Sequence, residues 1–253
     1  MLNKAYVDQL IQTALLEDNH YMDLTTDLLI PEEAHTRAEL VSKADGVLCG
    51  MELARAVFAY LDPAVVWTPY RRDGDPLHSG DVIAGLSGST RALLKGERTA
   101  LNLLQHLSGI ATQTAVCVAL TEGTGATITE TRKTLPGLRP CQKYAVWTGG
   151  GRNHRYNLSD AVMVKDNHLD AAGSITGAVT RLRAKLGHLV KIEVEARTFQ
   201  ELREAIDAGA DVVMLDNMTV EQMAQAVDLA GGASATIDAG GGNDDIVLSG
   251  TLG

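Results

Sequence analysis

Cysteine is scarce in this chain, and the few cysteines lack the spacing of a metal site or of a disulfide framework. There are three, Cys49, Cys117 and Cys141, and none belongs to a CxxC pair. An odd number of widely separated cysteines is typical of reduced thiols in a cytoplasmic protein. The sequence therefore predicts neither a disulfide nor a zinc site, and it favours a cytoplasmic location.

Long apolar runs and excess positive charge are also missing. No uninterrupted apolar run approaches the roughly 18–20 residues of a membrane helix, and the opening MLNKAYVDQLIQTALLEDN mixes charged with apolar residues, unlike a signal peptide. The net charge of -10 disfavours nucleic acid or an anionic membrane as a partner, since both repel negative charge. The 253 residues, 45% of them hydrophobic, suffice for one large domain or for a modest domain with a smaller one.

One segment, Thr129–His168, reverses the charge of the rest of the chain. Between positions 130 and 156 the only acid is Glu130. The cations of the same stretch are Arg132, Lys133, Arg139, Lys143, Arg152 and Arg155. A local excess of cations in an acidic protein predicts a site for a strongly anionic small molecule. The alternative is a solvated basic face.

The front of the chain predicts a small α/β unit. Apolar residues recur on one face over residues 4–17, which indicates an amphipathic helix, and a second helix is predicted over residues 51–61. Short β-branched stretches separated by Gly, Asp and Pro turns surround the second helix. This pattern is typical of a mixed α/β unit with hairpins.

Long helical material follows over residues 95–120, with a predicted interruption near Ser108–Gly109. The pattern changes along this stretch, so we place the domain boundary within it. Residues 1–107 are predicted to form the first domain and residues 108–253 the second.

From Gly125 onwards, short apolar runs alternate with helical stretches. The strand-like runs are ATITET, DAVMVK, VKIEVE, DVVMLD and SATIDA. Helices are predicted between them over residues 140–149, 173–186, 198–208 and 219–230. Strands that alternate with helices predict a parallel sheet with right-handed crossovers, in a barrel or in an open sheet.

Chemically useful residues stand at the carboxyl end of each predicted strand. In strand order they are Arg132 with Lys133, Lys165, Glu195, Asp216 and the triplet Gly240, Gly241 and Gly242. In a βα barrel the loops at this end of the strands converge on one face, where active sites are built. The sequence therefore predicts one rim that carries cations, carboxylates and a glycine turn.

The cations of this rim suit substrates that carry carboxylates and phosphates. Arg132, Arg155 and the helical Arg98 can hold either anion through bidentate hydrogen bonds. Lys133 and Lys165 can act as point charges for a phosphate or a pyrophosphate. A phosphorylated sugar and a second, carboxylated substrate are therefore expected.

The acids and glycines of the rim complete this expectation. Glu195 and Asp216 can hold sugar hydroxyls or a hydrated Mg²⁺, which prefers one or two carboxylates together with substrate oxygens. The Gly240–Gly242 turn allows backbone N–H groups to approach a phosphate closely.

Several of these residues have a purely structural alternative. Lys165 and Asp216 could form an ion pair across the barrel mouth. Glu193 and Glu195 share one strand face because they are two residues apart, and one of them could serve only to orient a cation.

The histidines and packing residues of the segment have structural alternatives too. His154 could be an ordinary loop histidine, and His168 is expected to fix a loop rather than to move a proton. Cys141, Tyr144 and Trp147 are predicted to pack their helix against the core.

Six stretches of the chain match the motifs of one known enzyme family. They are EDNHYMDLTTD, GERTALNLLQHLSGIAT, TRKTLPGLR, KYAVWTGGGRNHRYNLSDAVMVKDNH, IEVEA and GADVVMLDNM. In these stretches, which run in family order over nearly the whole chain, the sequence resembles the quinolinate phosphoribosyltransferases. The resemblance implies an N-terminal α/β sandwich domain followed by an incomplete parallel α/β barrel. It also implies a reaction that joins quinolinate to the ribosyl carbon of phosphoribosyl pyrophosphate, with Mg²⁺, and gives nicotinate mononucleotide, pyrophosphate and CO₂.

The resemblance implies roles for individual residues around quinolinate. Arg132, His154, Arg155 and Lys165 would surround its carboxylates. Arg98 matches the family arginine that enters the neighbouring subunit's site, which implies a homodimer.

The resemblance implies a second group of residues around phosphoribosyl pyrophosphate. Lys133, Glu195 and Asp216 would hold it and act in catalysis, and the two carboxylates would also hold the metal. The predicted substrate-binding set is completed by Thr131, Gly240, Gly241, Gly242 and Gly250.

The chain departs from the family pattern at three places. Glu130 stands where the family commonly has Asp, and Gly240 stands at a position that is often Ser. The third departure is GGGNDDIVLSGTLG, where the family has a helix before its last barrel strand. Only residues 240–245 separate SATIDA from DDIVLSGTL, too few for a parallel crossover, which needs about a dozen residues or more. Either the helix is missing from the chain, or IVLSG does not occupy the usual strand position.

Two other functions remain open at this level. One is a related phosphoribosyltransferase that acts on another carboxylated base. The other is a catalytically impaired homologue that binds nucleotide or only dimerises. VKDNH and TRKTLPGLR favour the enzyme that uses quinolinate.

Overall fold

The computed structural model describes residues 2–230, 235–238 and 247–250, the last two ranges as strands. The described chain divides into two compact units. One unit comprises Met1–Val116 and Thr134–Gly150, and the other comprises Cys117–Lys133 and Gly151–Gly253. The predicted boundary between residues 107 and 108 stays a prediction.

The first unit combines helices with two small antiparallel sheets. Its helices are α1 (Lys4–Asp18), α2 (Leu24–Leu29), α3 (Met51–Leu61), most of α4 (Thr90–Leu120) and α5 (Arg139–Thr148). Its strands are β1 (His35–Val41), β2 (Gly46–Val47), β3 (Val66–Pro69), β4 (Pro76–Leu77) and β5 (Val82–Ser89). One sheet has the strand order β1-β5-β3 and the other pairs β2 with β4. The predicted helices at the front of the chain and the mixed α/β character of this unit are confirmed.

Local sequence signals and apolar packing hold the first unit together. The Asn3 side chain accepts a hydrogen bond from the Ala5 backbone N–H at 2.9 Å and so begins α1. The main core joins α1, α3, α4 and the three-stranded sheet, and its fully buried members include Ile11, Val57 and Ala84. Burial of this apolar surface stabilises the unit.

Helix α4 is continuous over Thr90–Leu120, so the interruption predicted near Ser108–Gly109 is wrong. The Ser108 hydroxyl accepts a hydrogen bond from the Cys49 backbone N–H at 3.0 Å and donates to the Cys49 carbonyl. Ser108 therefore forms hydrogen bonds with the backbone of Cys49 while it remains part of the helix. A glycine inside a helix costs only about 1 kcal/mol relative to alanine, which the packing of α4 offsets.

Among the described residues, α4 is also the helix that is long and apolar enough to cross a membrane by length and composition. Core helices of globular proteins pass the same test. Leu93, Ala100, Leu104 and Leu107 of α4 are buried in the cores of the first unit. These contacts account for the apolar residues on that face of the helix.

The three cysteines are free, as predicted. Cys49 and Cys141 are fully buried. Burial is the main cause that raises the pKa of Cys49 to about 12, and the Asp73 carboxylate raises it further. A buried thiol of this kind is inert.

A close approach between α4 and the end of α5 depends on Gly149. A Cβ atom at this position would lie 2.3 Å from the Ala111 carbonyl oxygen and 2.8 Å from Thr114 Cβ. No side chain fits there unless the two helices move apart.

Gly149→Ala is therefore expected to lower the free energy of unfolding by about 1–3 kcal/mol, as overpacking of a close contact does. The matched control is Gly109→Ala, because a Cβ at Gly109 in the interior of α4 meets no atom within 4 Å. The control should raise the stability by up to about 1 kcal/mol through helix propensity. Urea unfolding of both variants measures the difference. Equal midpoints for the two variants would contradict the prediction.

The second unit is a sheet whose parallel strands alternate with helices, as predicted. Its strands are β6 (Ala126–Thr129), β7 (Val162–Val164), β8 (Ile192–Ala196), β9 (Val212–Leu215), β10 (Ala235–Asp238) and β11 (Val247–Gly250). Its helices are α6 (Asp166–Ala172), α7 (Ile175–Arg183), α8 (Phe199–Asp207) and α9 (Val220–Ala230). The sheet order is β6-β11-β10-β9-β8-β7, and strands β7 to β10 are parallel to their neighbours along that run.

The last strand resolves the question left by the sequence around SATIDA and DDIVLSGTL. Strand β11 pairs antiparallel with β10 and antiparallel with β6. A short connection can join antiparallel neighbours, whereas it cannot carry the chain back for a parallel strand. The described part of IVLSG, Val247–Gly250, therefore does not continue the parallel pattern of the other strands.

Strand β8 lies at the centre of the second core. All five of its residues are buried, and Ile192, Val194 and Ala196 are fully buried among the apolar residues of α7 and α8. The alternate residues Glu193 and Glu195 project from the opposite face of the strand, because side chains alternate along a strand. Two buried carboxylates on one strand face are costly unless they are paired.

Candidate active site

The first ion pair of the candidate site joins the ends of two neighbouring strands. In the parallel register of β7 and β8, Val164 lies opposite Val194, so Lys165 and Glu195 are the next residues along. The Lys165 Nζ atom lies 2.7 Å from Glu195 Oε2. The Lys165 side chain is 45% exposed and that of Glu195 is 9% exposed. The pair therefore presents its cation to solvent and keeps its carboxylate buried.

The structural alternative that paired Lys165 with Asp216 is wrong for the described residues, since Lys165 pairs with Glu195 instead. Asp216 follows β9, and its backbone N–H donates to the Ala196 carbonyl at 3.0 Å. Its Oδ2 atom accepts a hydrogen bond from the Asn217 side chain at 2.9 Å. Asn217 has a φ of 54°, a left-handed conformation that asparagine tolerates better than most residues. This turn holds the Asp216 carboxylate just beyond the strand.

A second buried carboxylate holds His154. The His154 Nε2 atom lies 2.6 Å from Glu193 Oε2, and the two side chains are 19% and 5% exposed. Glu193 sits two residues before Glu195 on the same strand face. The suggestion that one of the two glutamates orients a cation is therefore consistent with the contact to His154.

Glu130 fixes the backbone beside His154. Its Oε1 atom accepts a hydrogen bond from the His154 backbone N–H at 3.1 Å, and its Oε2 atom accepts from the Asn153 side chain at 3.0 Å. Glu130 follows β6 directly, so it ties the loop at residues 153–154 to the end of this strand. One carboxylate thus holds the loop and another holds the ring of its histidine.

The guanidinium of Arg155 is a cation of this unit whose surroundings lower its pKa. It donates to the Ala161 carbonyl at 3.1 Å and lies 3.5 Å from Met163 Sδ. Burial lowers the pKa of Arg155, the neighbouring Arg132 guanidinium lowers it further, and the Glu193 carboxylate raises it. The Arg155 Nε atom is buried and has no hydrogen-bond partner in the described part of the chain. Two guanidiniums close together, one with an unsatisfied buried donor, form a site that attracts an anion.

The loop after β6 supplies the other predicted cations. The Thr131 hydroxyl accepts a hydrogen bond from the Lys133 backbone N–H at 3.0 Å, which shapes the turn. The Lys133 side chain is exposed, whereas Arg132 is partly buried. The turn therefore directs consecutive cations to different environments.

The remaining predicted site residues lie elsewhere. Arg98 lies on α4 in the first unit and is exposed. Gly240, Gly241 and Gly242 lie outside the described residues. Gly250 is the last residue of β11, where it pairs with Ala126 of β6.

Two cations of the basic segment belong to the first unit. Arg139 and Lys143 are both on α5, and Lys143 is fully buried. The six cations of the segment are therefore distributed over both units, and four of them stand in the unit that holds the candidate site.

The packing predictions for α5 are correct for two of three residues. Cys141 is fully buried, and the Tyr144 hydroxyl donates to Asp73 Oδ2 at 2.8 Å. Burial and the Asp73 carboxylate both raise the pKa of Tyr144. Trp147 is 61% exposed, so its predicted packing is wrong. It stacks on the Tyr144 ring at a centroid distance of 6.3 Å instead.

His168 fixes the start of α6, in agreement with its predicted structural role. Its Nδ1 atom accepts a hydrogen bond from the Lys165 backbone N–H at 2.9 Å. This contact also holds the backbone of Lys165 at the end of β7.

Sequence reasoning gave little weight to Glu130, Asn153 and Glu193, which the structure brings to the site. The available signals were the two-residue spacing of Glu193 from Glu195 and the isolation of Glu130 among cations. Over the described residues, no group of three or more His, Cys, Asp or Glu side chains is arranged to hold a metal.

The fold and the site define a class of protein. Parallel strands alternate with helices, and the loops after them bear cations and carboxylates, as in α/β enzymes that act on anionic small molecules. A family model for the quinolinate phosphoribosyltransferase N-terminal domain matches residues 23–108, and one for the C-terminal domain matches residues 110–248.

Individual relatives agree with the family models. A probable nicotinate-nucleotide pyrophosphorylase [carboxylating] of Bacillus subtilis is 47% identical over 216 residues, which cover 85% of this chain and 74% of the relative. A second, from Synechocystis, is 43% identical and covers 88% of this chain and 75% of the relative. The crystal structure of NadC from Streptococcus pyogenes superposes with a TM-score of 0.90 at 41% identity, covering 96% of this chain and 86% of that one.

The chain belongs to the quinolinate phosphoribosyltransferase family. The predicted family, the fold class and the enzyme class, a decarboxylating pentosyltransferase of NAD biosynthesis, are thereby confirmed.

Proposed function

We propose that the candidate site binds quinolinate through Arg132, His154, Arg155 and Lys165 and transfers a phosphoribosyl group to it. Quinolinate carries two carboxylates on adjacent ring carbons, so it needs several cationic groups on a common site. Arg132 and Arg155 are close enough to influence one another, and Lys165 stands at the end of the neighbouring strand β7. Guanidiniums bind carboxylates in bidentate geometry, which fixes the orientation of the ring.

The observation that carries this proposal is the pair formed by Arg132 and Arg155. Burial lowers the pKa of Arg155, and repulsion from the like charge of Arg132 lowers it further. A dianion placed between them would remove the repulsion and satisfy the buried Arg155 Nε donor. A purely structural pair would have a carboxylate on each guanidinium, whereas the described hydrogen-bond acceptors of Arg155 are a carbonyl and a thioether.

The second substrate, phosphoribosyl pyrophosphate, is assigned to Lys133, Glu195 and Asp216. Attack of the quinolinate ring nitrogen forms a bond to the ribosyl carbon as the bond to pyrophosphate breaks. The ribosyl carbon gains positive character in this step, and the Glu195 and Asp216 carboxylates can stabilise it. The exposed Lys133 ammonium can neutralise the departing pyrophosphate. Thr131 supports this role because its hydroxyl shapes the turn before Lys133.

Loss of CO₂ completes the reaction. The bond between the ring and the carboxylate next to the nitrogen breaks, and its electron pair stays on the ring carbon, which then takes a proton from solvent. Nearby cations stabilise that negative charge more than they stabilise the substrate, so they lower the barrier. Two anionic substrates that repel each other in water are held side by side, and this positioning supplies much of the rate.

A Mg²⁺ ion is proposed to bind with phosphoribosyl pyrophosphate. Mg²⁺ takes one or two protein carboxylates together with substrate phosphate oxygens, so a preformed cluster of three protein ligands is not required. Asp216 fits this role because its described side-chain partner is a neutral amide. Glu195 fits less directly, since Lys165 already neutralises its Oε2 atom. The metal would supply charge neutralisation at the pyrophosphate.

We further propose a cytoplasmic homodimer in which Arg98 enters the partner's site. The exposure of Arg98 on α4 supports this assignment, because an exposed guanidinium is accessible to a partner chain. Gly240, Gly241, Gly242 and Gly250 are proposed to hold phosphate through backbone N–H groups.

The test of the proposed function is release of CO₂ and pyrophosphate from quinolinate and phosphoribosyl pyrophosphate in the presence of Mg²⁺. Quinolinate labelled in its 2-carboxylate should yield labelled CO₂ in equal amount to nicotinate mononucleotide. Nicotinate serves as the control base, because it lacks the carboxylate that is lost. A folded dimer that releases neither product would overturn the proposal.

Removal of divalent cations is expected to stop this turnover. The Lys133 ammonium alone cannot neutralise a pyrophosphate that carries several negative charges, so activity should fall at least about tenfold with excess EDTA and return with Mg²⁺. Asp216→Asn should require a higher Mg²⁺ concentration for half-maximal rate, whereas Asp228→Asn on α9 should not. Full activity in EDTA would show that the metal is not needed.

A further inference from the structure

Glu193 is a buried acid whose function the assigned roles do not explain. It is 4% exposed and lies in the middle of β8, between the fully buried residues Ile192 and Val194. An ionised carboxylate in such a position is strongly destabilising unless it is paired. Its Oε1 atom is buried without a hydrogen-bond partner in the described structure, and its Oε2 atom contacts His154.

The contact between Glu193 and His154 is short and directional. The 2.6 Å distance is slightly shorter than the roughly 2.7–2.9 Å that is typical of a charge-assisted N–H···O hydrogen bond. An ionised carboxylate can only accept a hydrogen bond, so we assign the proton of this contact to His154 Nε2. Glu130 accepts from the backbone N–H of the same histidine. The His154 ring is therefore fixed in rotation by Glu193, while its backbone is fixed by Glu130.

Glu193 also interacts with Arg155, the residue that follows His154 in the loop. In the register of β7 and β8 it is opposite Met163, whose sulfur lies 3.5 Å from an Arg155 guanidinium nitrogen. Its charge favours the protonated form of Arg155 against burial and against Arg132. One buried carboxylate thus interacts with two consecutive side chains, those of His154 and Arg155.

The two glutamates of β8 differ in how exposed their partners are. Glu195, at the strand end, pairs with the half-exposed Lys165. Glu193, two residues deeper, pairs with a histidine whose side chain is only 19% exposed. A structural ion pair needs neither this depth nor a loop histidine fixed at both its backbone and its ring.

We propose that Glu193 is a positioning residue for quinolinate binding, which acts by holding the His154 ring in the orientation that meets a substrate carboxylate. This inference rests on the proposed function of the site. Glu193 itself touches no substrate. It pre-organises one of the cationic side chains, so that less ordering remains to be done when the dicarboxylate binds.

Glu193→Gln tests this inference, because glutamine keeps the size of the side chain and removes its charge. Loss of a buried charge-assisted hydrogen bond should weaken quinolinate binding about tenfold or more. The KM for quinolinate should rise, whereas the KM for phosphoribosyl pyrophosphate should stay within about twofold, since its proposed ligands do not contact Glu193. The Glu193→Asp variant keeps the charge and should recover part of the affinity. Equal changes in both KM values would indicate a general structural defect and overturn the proposal.

The matched control is Glu204→Gln on α8. Glu204 also accepts hydrogen bonds, from the backbone and the hydroxyl of Thr176, at 2.9 and 3.0 Å. Its replacement should leave both KM values unchanged.

A double-mutant cycle with His154→Ala decides whether Glu193 acts through the histidine. Quinolinate affinity is measured by calorimetry without phosphoribosyl pyrophosphate, so the result does not depend on turnover. If Glu193 acts through His154, adding Glu193→Gln to His154→Ala should weaken binding by less than about threefold. A larger further loss, approaching the product of the two single losses, would overturn the proposal.

A measurement on the unaltered protein covers the case in which the Glu193 variants do not fold. The His154 Nε2 proton should give a strongly downfield NMR signal, and quinolinate should shift it while the exposed His188 stays unchanged. No quinolinate-dependent shift of His154 would overturn the positioning role. If quinolinate binds and shifts this signal but no CO₂ is released, the proposed function fails and the positioning role stands.

Discussion

Lys133→Ala is expected to lower kcat by about 10²- to 10³-fold, because one charge-assisted contact at the transition state contributes about 2–4 kcal/mol. Lys133 is exposed and stands in the turn after β6, beside the partly buried Arg132. Its proposed role is to neutralise pyrophosphate as the bond to the ribosyl carbon breaks. Steady-state rates with quinolinate and phosphoribosyl pyrophosphate measure the effect.

The matched control for this variant is Lys185→Ala. Lys185 is another exposed lysine of the second unit, and it stands after α7 rather than after a strand of the sheet. Both replacements remove one positive charge from the surface, so a general effect of net charge would appear in both. The Lys185 variant should keep the rate of the unaltered enzyme. A Lys133 variant with near-normal kcat would remove Lys133 from the mechanism.

Mixing two inactive variants is expected to restore activity if the active site is shared between subunits. Arg98→Ala and Lys165→Ala should each be nearly inactive alone. After random exchange of subunits, half of the dimers contain one chain of each kind, and one of the two sites in such a dimer is intact. About a quarter of the normal activity should therefore return, because the two-fold symmetry places both replacements in the other site.

The control for this experiment mixes Lys133→Ala with Lys165→Ala. Both lysines belong to the second unit of the chain. If that unit supplies both to one site, every site in a mixed dimer lacks one of them and no activity should return. Failure of the Arg98 and Lys165 mixture to recover, with subunit exchange verified by mass, would show that Arg98 does not act in the partner's site.

Local patterns in the sequence were enough to predict most of the helices and the parallel strands. Helix α1, the helices between the later strands and the buried strand β8 all follow from periodicity, because apolar spacing reports which face a segment buries. The residues at strand ends followed from the same reasoning, since the carboxyl ends of parallel strands share one edge. Lys165 and Glu195 were therefore expected to lie near each other, and their ion pair follows from the register of β7 and β8.

Errors arose where the outcome depends on distant contacts. The predicted interruption of α4 ignored the packing that offsets the intrinsic cost of Gly109. Trp147 was expected to take part in the packing of its helix, yet the buried face of α5 is occupied by Cys141 and Ala145. Such choices depend on which elements meet, and a local pattern does not contain that information.

The direction of β11 depends both on the length of the link before it and on the positions of its neighbouring strands. The short link before it could be read from the sequence and excluded a parallel crossover. Only the tertiary structure showed which partners the strand takes, because antiparallel pairing with both β10 and β6 depends on where those strands lie.

The sequence by itself determined the family, the alternation of strands and helices, and the kinds of charge that the strand ends carry. Tertiary structure alone decided how those charges are paired: Lys165 with Glu195, and His154 with Glu193. The physical reason is that a charge pattern is a property of the chain, whereas the energy of a buried charge depends on distance and burial. Those two quantities exist only after the strands have come together.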